Sequence, residues 1–164
     1  MRTLIVLAAL LTPAVALADD PAAAVAGTFD VKFEEVTSNC QGTGMSLNRG
    51  LVTVERKKAT AITIDIERIP LMTGTASKGG RIKATSRIGK TSIQGLDGRF
   101  STAGTVNDDV LSVVFVAEYY LQGKAFCTQS WNVSGLRKTA TAPAPAPSPR
   151  AALDAPWDLG LPLE

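Results

Sequence analysis

The chain reads as an all-β protein: an eight-stranded antiparallel up-and-down barrel, with a β-sandwich as the alternative, followed by a disordered C-terminal tail. Three observations carry this reading. Apolar and polar residues alternate with a two-residue period in five separate runs, which puts successive side chains on opposite faces of a strand. Breaks rich in glycine, proline and charge fall between the runs. Cys40 and Cys127 stand just after the first run and near the start of the last. No window of the body carries the i, i+3, i+4, i+7 apolar stripe of a helix.

Taken in order, residues 1–18 read as a signal peptide. Arg2 supplies the positive start, Leu4 to Val15 the apolar stretch and Ala16-Leu17-Ala18 the cleavage site, followed by Asp19-Asp20. The expectation is export, to the periplasm or as a secreted protein, with cleavage after Ala18. Residues 19–26 read as a flexible leader and 27–138 as the barrel domain. Its first strand, 27–36, alternates Phe29, Val31 and Phe33 with Asp30, Lys32 and Glu34. A long loop from Asn39 to Gly50 leads to a strand at 50–57, which turns at Lys57-Lys58 into 60–67. There Ile62, Ile64 and Ile66 alternate with Thr63, Asp65 and Glu67. Ile69-Pro70 separates this run from 71–77, and Lys78-Gly79-Gly80 opens 80–86, with Ile82 and Ala84 on one face. Arg87-Ile88-Gly89 leads to 91–102, where Gly95-Leu96-Asp97-Gly98 offers an extra turn and a ninth strand. Gly104 to Asp109 is the next break, followed by 109–120 with Leu111, Val113 and Phe115. Gln122-Gly123 turns into 124–136, with Trp131 and Val133. Residues 139–164 form an Ala/Pro-rich tail with a short apolar end.

Short connections pair sequence neighbours as hairpins, and eight such strands either close or split into two sheets. The cysteines favour closure, because the first and last strands of a closed meander are antiparallel neighbours. An exported chain with an even cysteine count should join Cys40 to Cys127. Register arithmetic adds a condition. With Cys40 directly opposite Cys127 in regular pairing, Phe33 would face Ser134 and the apolar faces would fall out of step. Either Cys40 lies in the loop, or a bulge shifts the register by one.

Composition excludes several chemistries. The chain of 164 residues has no His, which removes Ser-His-Asp and Cys-His nucleophile systems, His-ligated zinc and haem. Two cysteines are too few for a Cys-only zinc site. Glu118, Tyr119, Tyr120 and Lys124 are the only cluster suited to acid–base work. Adjacent Glu34-Glu35 and Asp108-Asp109 point to opposite faces of a strand. No enzyme activity, metal or cofactor is expected. Lys78, Arg81, Lys83, Arg87, Lys90 and Arg99 face only Asp97 in their stretch. No aromatic residue lies among them to stack on a base, so they read as a solvated edge and no nucleic-acid partner is expected. With 5% aromatic residues the chain lacks the girdles of a membrane-spanning barrel.

The strand at 109–120 is apolar on both faces, since Val110, Val114 and Val116 point away from Leu111, Val113 and Phe115. Such an exposed row calls for a cover. Trp157, Leu159, Leu161 and Leu163 alternate with Asp158, Gly160, Pro162 and Glu164, and are expected to dock on an apolar surface of the barrel or of a partner.

Gly27-Thr28-Phe29-Asp30 is similar to the G-x-W opening of lipocalin-like (calycin) barrels, with Phe in place of Trp. In that superfamily a basic residue near the end of the last strand packs over the opening aromatic, and Arg137 stands at the matching place. The resemblance implies a cup for a small hydrophobic ligand or lipid. Phe29, Val31, Phe33, Ile62, Ile64, Phe115 and Trp131 would line its interior. The alternative is a module that binds or inhibits an envelope or extracellular protein through its loops or tail.

Overall fold

Phe29, Val31 and Phe33 are buried and Asp30, Lys32 and Glu34 exposed, so the alternation resolves into an inside and an outside. The computed structural model describes residues 20–139. Among them are nine strands: β1 (Gly27–Ser38), β2 (Arg49–Arg56), β3 (Ala61–Ile66), β4 (Met72–Ala76), β5 (Arg81–Thr85), β6 (Gly89–Lys90), β7 (Leu96–Asn107), β8 (Val110–Leu121) and β9 (Lys124–Arg137). Residues 1–18 and the segment holding Trp157, Leu159, Leu161 and Leu163 lie outside the described residues.

All pairings are antiparallel, in the order β5-β4-β3-β2-β1-β9-β8-β7-β6. β5 also pairs with β7, from Arg81↔Thr105 to Thr85↔Ser101, and this closes a ring through eight strands. The barrel is therefore adopted and the sandwich is not. Ser86 extends the closure past β5: its N–H donates to the Phe100 carbonyl at 2.8 Å and its Oγ accepts from the Phe100 N–H at 2.9 Å. The ring is uneven, with twelve residues in each of β7 and β8 against five in each of β4 and β5. β6 hangs beside the ring on Gly98 and Asp97 of β7; it makes a ninth strand, but the turn lies at residues 91–95 and Leu96 to Gly98, expected in a turn, belong to β7.

The register condition is met in both ways at once. Phe33 faces Val133, so the apolar faces agree. A bulge at Val36 then shifts the pairing, so that Glu35 faces Trp131 while Thr37 faces Ser130. Past the end of β1, Asn39 still reaches Thr128 through backbone and side chain. Cys40, in the loop, meets Cys127 with a Cα–Cα distance of 5.2 Å, and the disulfide forms. The bond points to an oxidising compartment.

Three details differ from the sequence reading. The break expected at Gly104 to Asp109 is only Asp108-Asp109, both at positive φ, and β7 runs through to Asn107. Gly104 lies inside the strand because β8 passes so close that a side chain there would overlap the Ser112 carbonyl. The strand expected at 91–102 begins at Leu96, because residues 91–95 form the hairpin instead. The segment 19–26, read as a flexible leader, contains a helix, α1 (Pro21–Val25), with Ala22 and Val25 fully buried. Pro21 opens the helix, and Asp20 caps it by accepting from the Ala23 N–H at 3.0 Å and pairs with Arg56 at 2.5 Å. Its burial comes from lying across one end of the ring, against β2, β4 and the 3-10 turn at Lys78–Gly80.

Candidate functional site

The strand ladder fixes which side chains face inward, and all seven residues expected to line a cavity do so. Phe29, Val31, Phe33, Ile62, Ile64, Phe115 and Trp131 are each at most 5% exposed. They pack on one another and on residues that were not expected among the interior lining. Phe115 lies 6.4 Å from Phe33, 6.1 Å from Phe100 and 5.4 Å from Trp131, centroid to centroid. Phe100 in turn meets Tyr119 edge-on at 6.4 Å. These are ordinary aromatic packing distances. Met72, Leu111, Val52 and Val54 complete the surroundings, all buried. Trp131 Nε1 is buried with no hydrogen-bond partner.

Both ends of the ring are covered. At one end Arg137 lies across the opening. Its guanidinium stands 5.0 Å from the Phe29 ring centroid and donates to the carbonyls of Ala24, at 3.2 Å, and Ala26. Its Nε pairs with Asp109 at 2.6 Å. Gly27, at φ 154°, leaves the room this side chain occupies. At the other end the loop between β1 and β2 folds back over the mouth. Gln129 holds it there, accepting from the Met45 N–H at 2.9 Å and the Tyr119 hydroxyl at 3.2 Å through Oε1. Met45 and Leu47 pack against the core from this loop. Burial pushes the Tyr119 phenol up to about 12, against a smaller pull downward from the Met45 backbone.

The acid–base cluster does not assemble. Tyr119 points inward to Gln129, while Glu118 points outward and pairs with Arg99 at 2.6 Å. Lys124 is exposed at the hairpin. Of the adjacent carboxylates, Glu34 pairs with Lys32, whose hydrogen bond and charge hold it below the usual range, and Asp109 pairs with Arg137. Among the described residues no three His, Cys, Asp or Glu side chains converge on a metal position. In the basic stretch, Lys90 pairs with Asp97 at 3.0 Å.

What remains is outside. Val110 and Val114 are 41% and 47% exposed, and Val116 is half-buried on the same outer face of β8, as the alternation required. Val114 and Val116 form one wall of a groove of about 570 Å³ across the outer faces of β4, β5, β7 and β8. Thr73, Thr75, Thr85 and Ala103 add methyl surface, and Lys83 and the Arg99–Glu118 pair stand at its polar positions. The groove depends on sheet curvature, so only the doubly apolar pattern of β8 announced it.

No protein-family model matches the chain, and comparisons with curated proteins and with solved structures returned no match.

Proposed function

We propose that the chain is an exported, non-enzymatic binding module that recognises a protein partner through the outside of its barrel. The observation that carries the proposal is the occupation of the interior: the residues expected to line a cup contact one another, and α1, Arg137 and the Met45 loop cover the ends. Eight strands enclose just enough space for side chains or one small ligand, and here side chains take it. Exposed Asp30, Lys32, Asp65, Ser112, Asn132 and Ser134 around an apolar inside are the reverse of a lipid-facing barrel, which supports a water-exposed outer surface. The disulfide and the signal-like start support export. The outer groove is the apolar surface such a partner would use.

A second reading is a lipocalin-like carrier. Arg137 over Phe29 is the contact that resemblance implies. The unpartnered Trp131 Nε1 is a donor that a bound molecule with a carbonyl or carboxylate would satisfy. One experiment separates the two. Protein isolated from its own host is measured by native mass spectrometry, and cross-linked partners are compared for the wild type and Val114→Lys. The exterior reading expects no co-purifying small molecule, and a cross-linked protein that the variant loses. A stoichiometric small mass, with Val114→Lys behaving as wild type, would transfer the function to the interior.

A further inference from the structure

The closed ring restricts what can bind the groove. Every strand that lines it has both edges paired, so an incoming segment cannot add to the sheet and must dock by side chains on its face. The groove wants an extended chain with apolar groups on one side, to meet Val114, Val116, Ala103 and the threonine methyls, and acidic groups near Lys83.

We propose that Trp157, Leu159, Leu161 and Leu163 of the same chain occupy the outer groove of β4, β5, β7 and β8, so that the tail acts as an intramolecular competitor for the surface that recognises a partner. The proposal rests on the exterior reading of function only for its regulatory consequence; the docking itself stands on three observations. First, the alternation puts one tryptophan and three leucines on one side of an extended segment, and Pro162, which cannot donate to a ladder, is harmless where no ladder forms. Second, the charges agree. The tail carries Asp154, Asp158 and Glu164 against one Arg150, and the groove's own carboxylate, Glu118, is already paired with Arg99 while Lys83 is exposed.

Third, the tether reaches. Val114 pairs with Asn132 on β9. From Asn132 to Thr139 is roughly 23 Å of strand, and the neighbouring strand adds about 5 Å. The Pro-rich stretch between Thr139 and Trp157 spans roughly 50 Å when extended. The tail therefore has length to return along β9, cross to β8 and lie in the groove.

The test uses the full chain labelled with 5-fluorotryptophan, which carries two reporters, Trp131 in the interior and Trp157 in the tail. Docking predicts a Trp157 fluorine resonance with a small H2O-to-D2O shift and a line as broad as that of Trp131. It also predicts that Val114→Lys with Val116→Lys moves Trp157 to the position of a solvated indole while Trp131 stays in place, and that Lys83→Glu moves it part of the way. A Trp157 resonance that is sharp and fully solvated in the wild type overturns the proposal, as does a buried Trp157 that ignores all three substitutions. Loss of the buried signal on dilution would assign the groove to a second copy's tail and overturn the intramolecular form. Each of these failures leaves the partner reading to stand or fall on its own cross-linking result.

Discussion

Arg137 lies over Phe29, its register partner on the neighbouring strand, with the guanidinium 5.0 Å from the ring centroid. One side chain thereby joins the first strand, the last strand and the C-terminal end of α1. A cation over an aromatic face contributes about 0.5–2 kcal/mol, and a charged donor on a carbonyl adds about 1.5–3 kcal/mol. Arg137→Ala should therefore cost about 2–4 kcal/mol in urea denaturation. Arg137→Lys should recover part of this, because one ammonium cannot serve both carbonyls and the ring. Asp109→Asn should cost under about 1 kcal/mol, since Asp109 is 72% exposed. A double-mutant cycle with Phe29→Leu should give coupling above about 0.5 kcal/mol; no coupling would mean that the ring is only a neighbour.

The disulfide should matter to stability and little to the fold. It closes a separation of 87 residues, and the strands it joins are already paired from Phe29↔Arg137 to Ser38↔Gln129. Reduction, or paired Cys40→Ser and Cys127→Ser, should lower unfolding free energy by about 2–4 kcal/mol while the far-ultraviolet circular dichroism keeps its β form. Amide exchange should rise most between Asn39 and Asn48, the loop the bond anchors. Collapse of the spectrum on reduction alone would show that the hydrogen-bonded ring does not hold itself.

The inside of this barrel was readable in advance because strand alternation is a local signal: Phe29, Ile62, Phe115 and Trp131 could be assigned to one face from their neighbours alone. The bulge at Val36 was readable too, as a conflict between two registers that one extra residue resolves. Gly104 was not. In sequence, a glycine followed shortly by Asn-Asp-Asp looks like a loop, and only the nearby path of β8 explains a glycine within a strand. α1 escaped for a similar reason, since Ala22 and Val25 are buried by the end of a ring assembled from distant strands. Gln129, the holder of the Met45 loop, carries no periodic signal that marks a polar clamp. The outer groove is a matter of curvature, legible only through the apolar outer face of β8.

Gly104 offers a direct check on strand packing. A methyl group there would overlap the Ser112 carbonyl and Val113 Cα, both backbone atoms that cannot swing aside. Gly104→Ala should cost about 1–3 kcal/mol, the range for overpacking a filled interior. Ala103→Ser, at the exposed neighbouring position, should stay within about 0.5 kcal/mol. Equal stability of the two variants would mean that β7 and β8 separate easily at this point.

Tyr119 gives the barrel a dependence on alkaline pH. Its phenol is pushed up to about 12 by burial, whereas an unfolded tyrosine titrates near the ordinary value of 10.0. Below the unfolded value both states hold the proton and the contribution is fully present. Between the two values the unfolded chain releases the proton while the folded chain keeps it, so stability falls as pH rises and the contribution is lost through the folded value. The loss approaches about 1.4 kcal/mol for each pH unit in that window. The measurement is a difference, which cancels what the two proteins share: urea midpoints of wild type and Tyr119→Phe followed across the window. Tyr119→Phe should begin about 0.5–1.5 kcal/mol less stable, having lost the bond to Gln129, and then lose less with rising pH. The two curves should cross before pH 12, because a loss of about 1.4 kcal/mol for each pH unit over the window from 10.0 to about 12 exceeds the starting difference. Curves that run parallel throughout would mean that the Tyr119 hydroxyl reaches water, and that the Met45 loop does not cover the mouth of the ring.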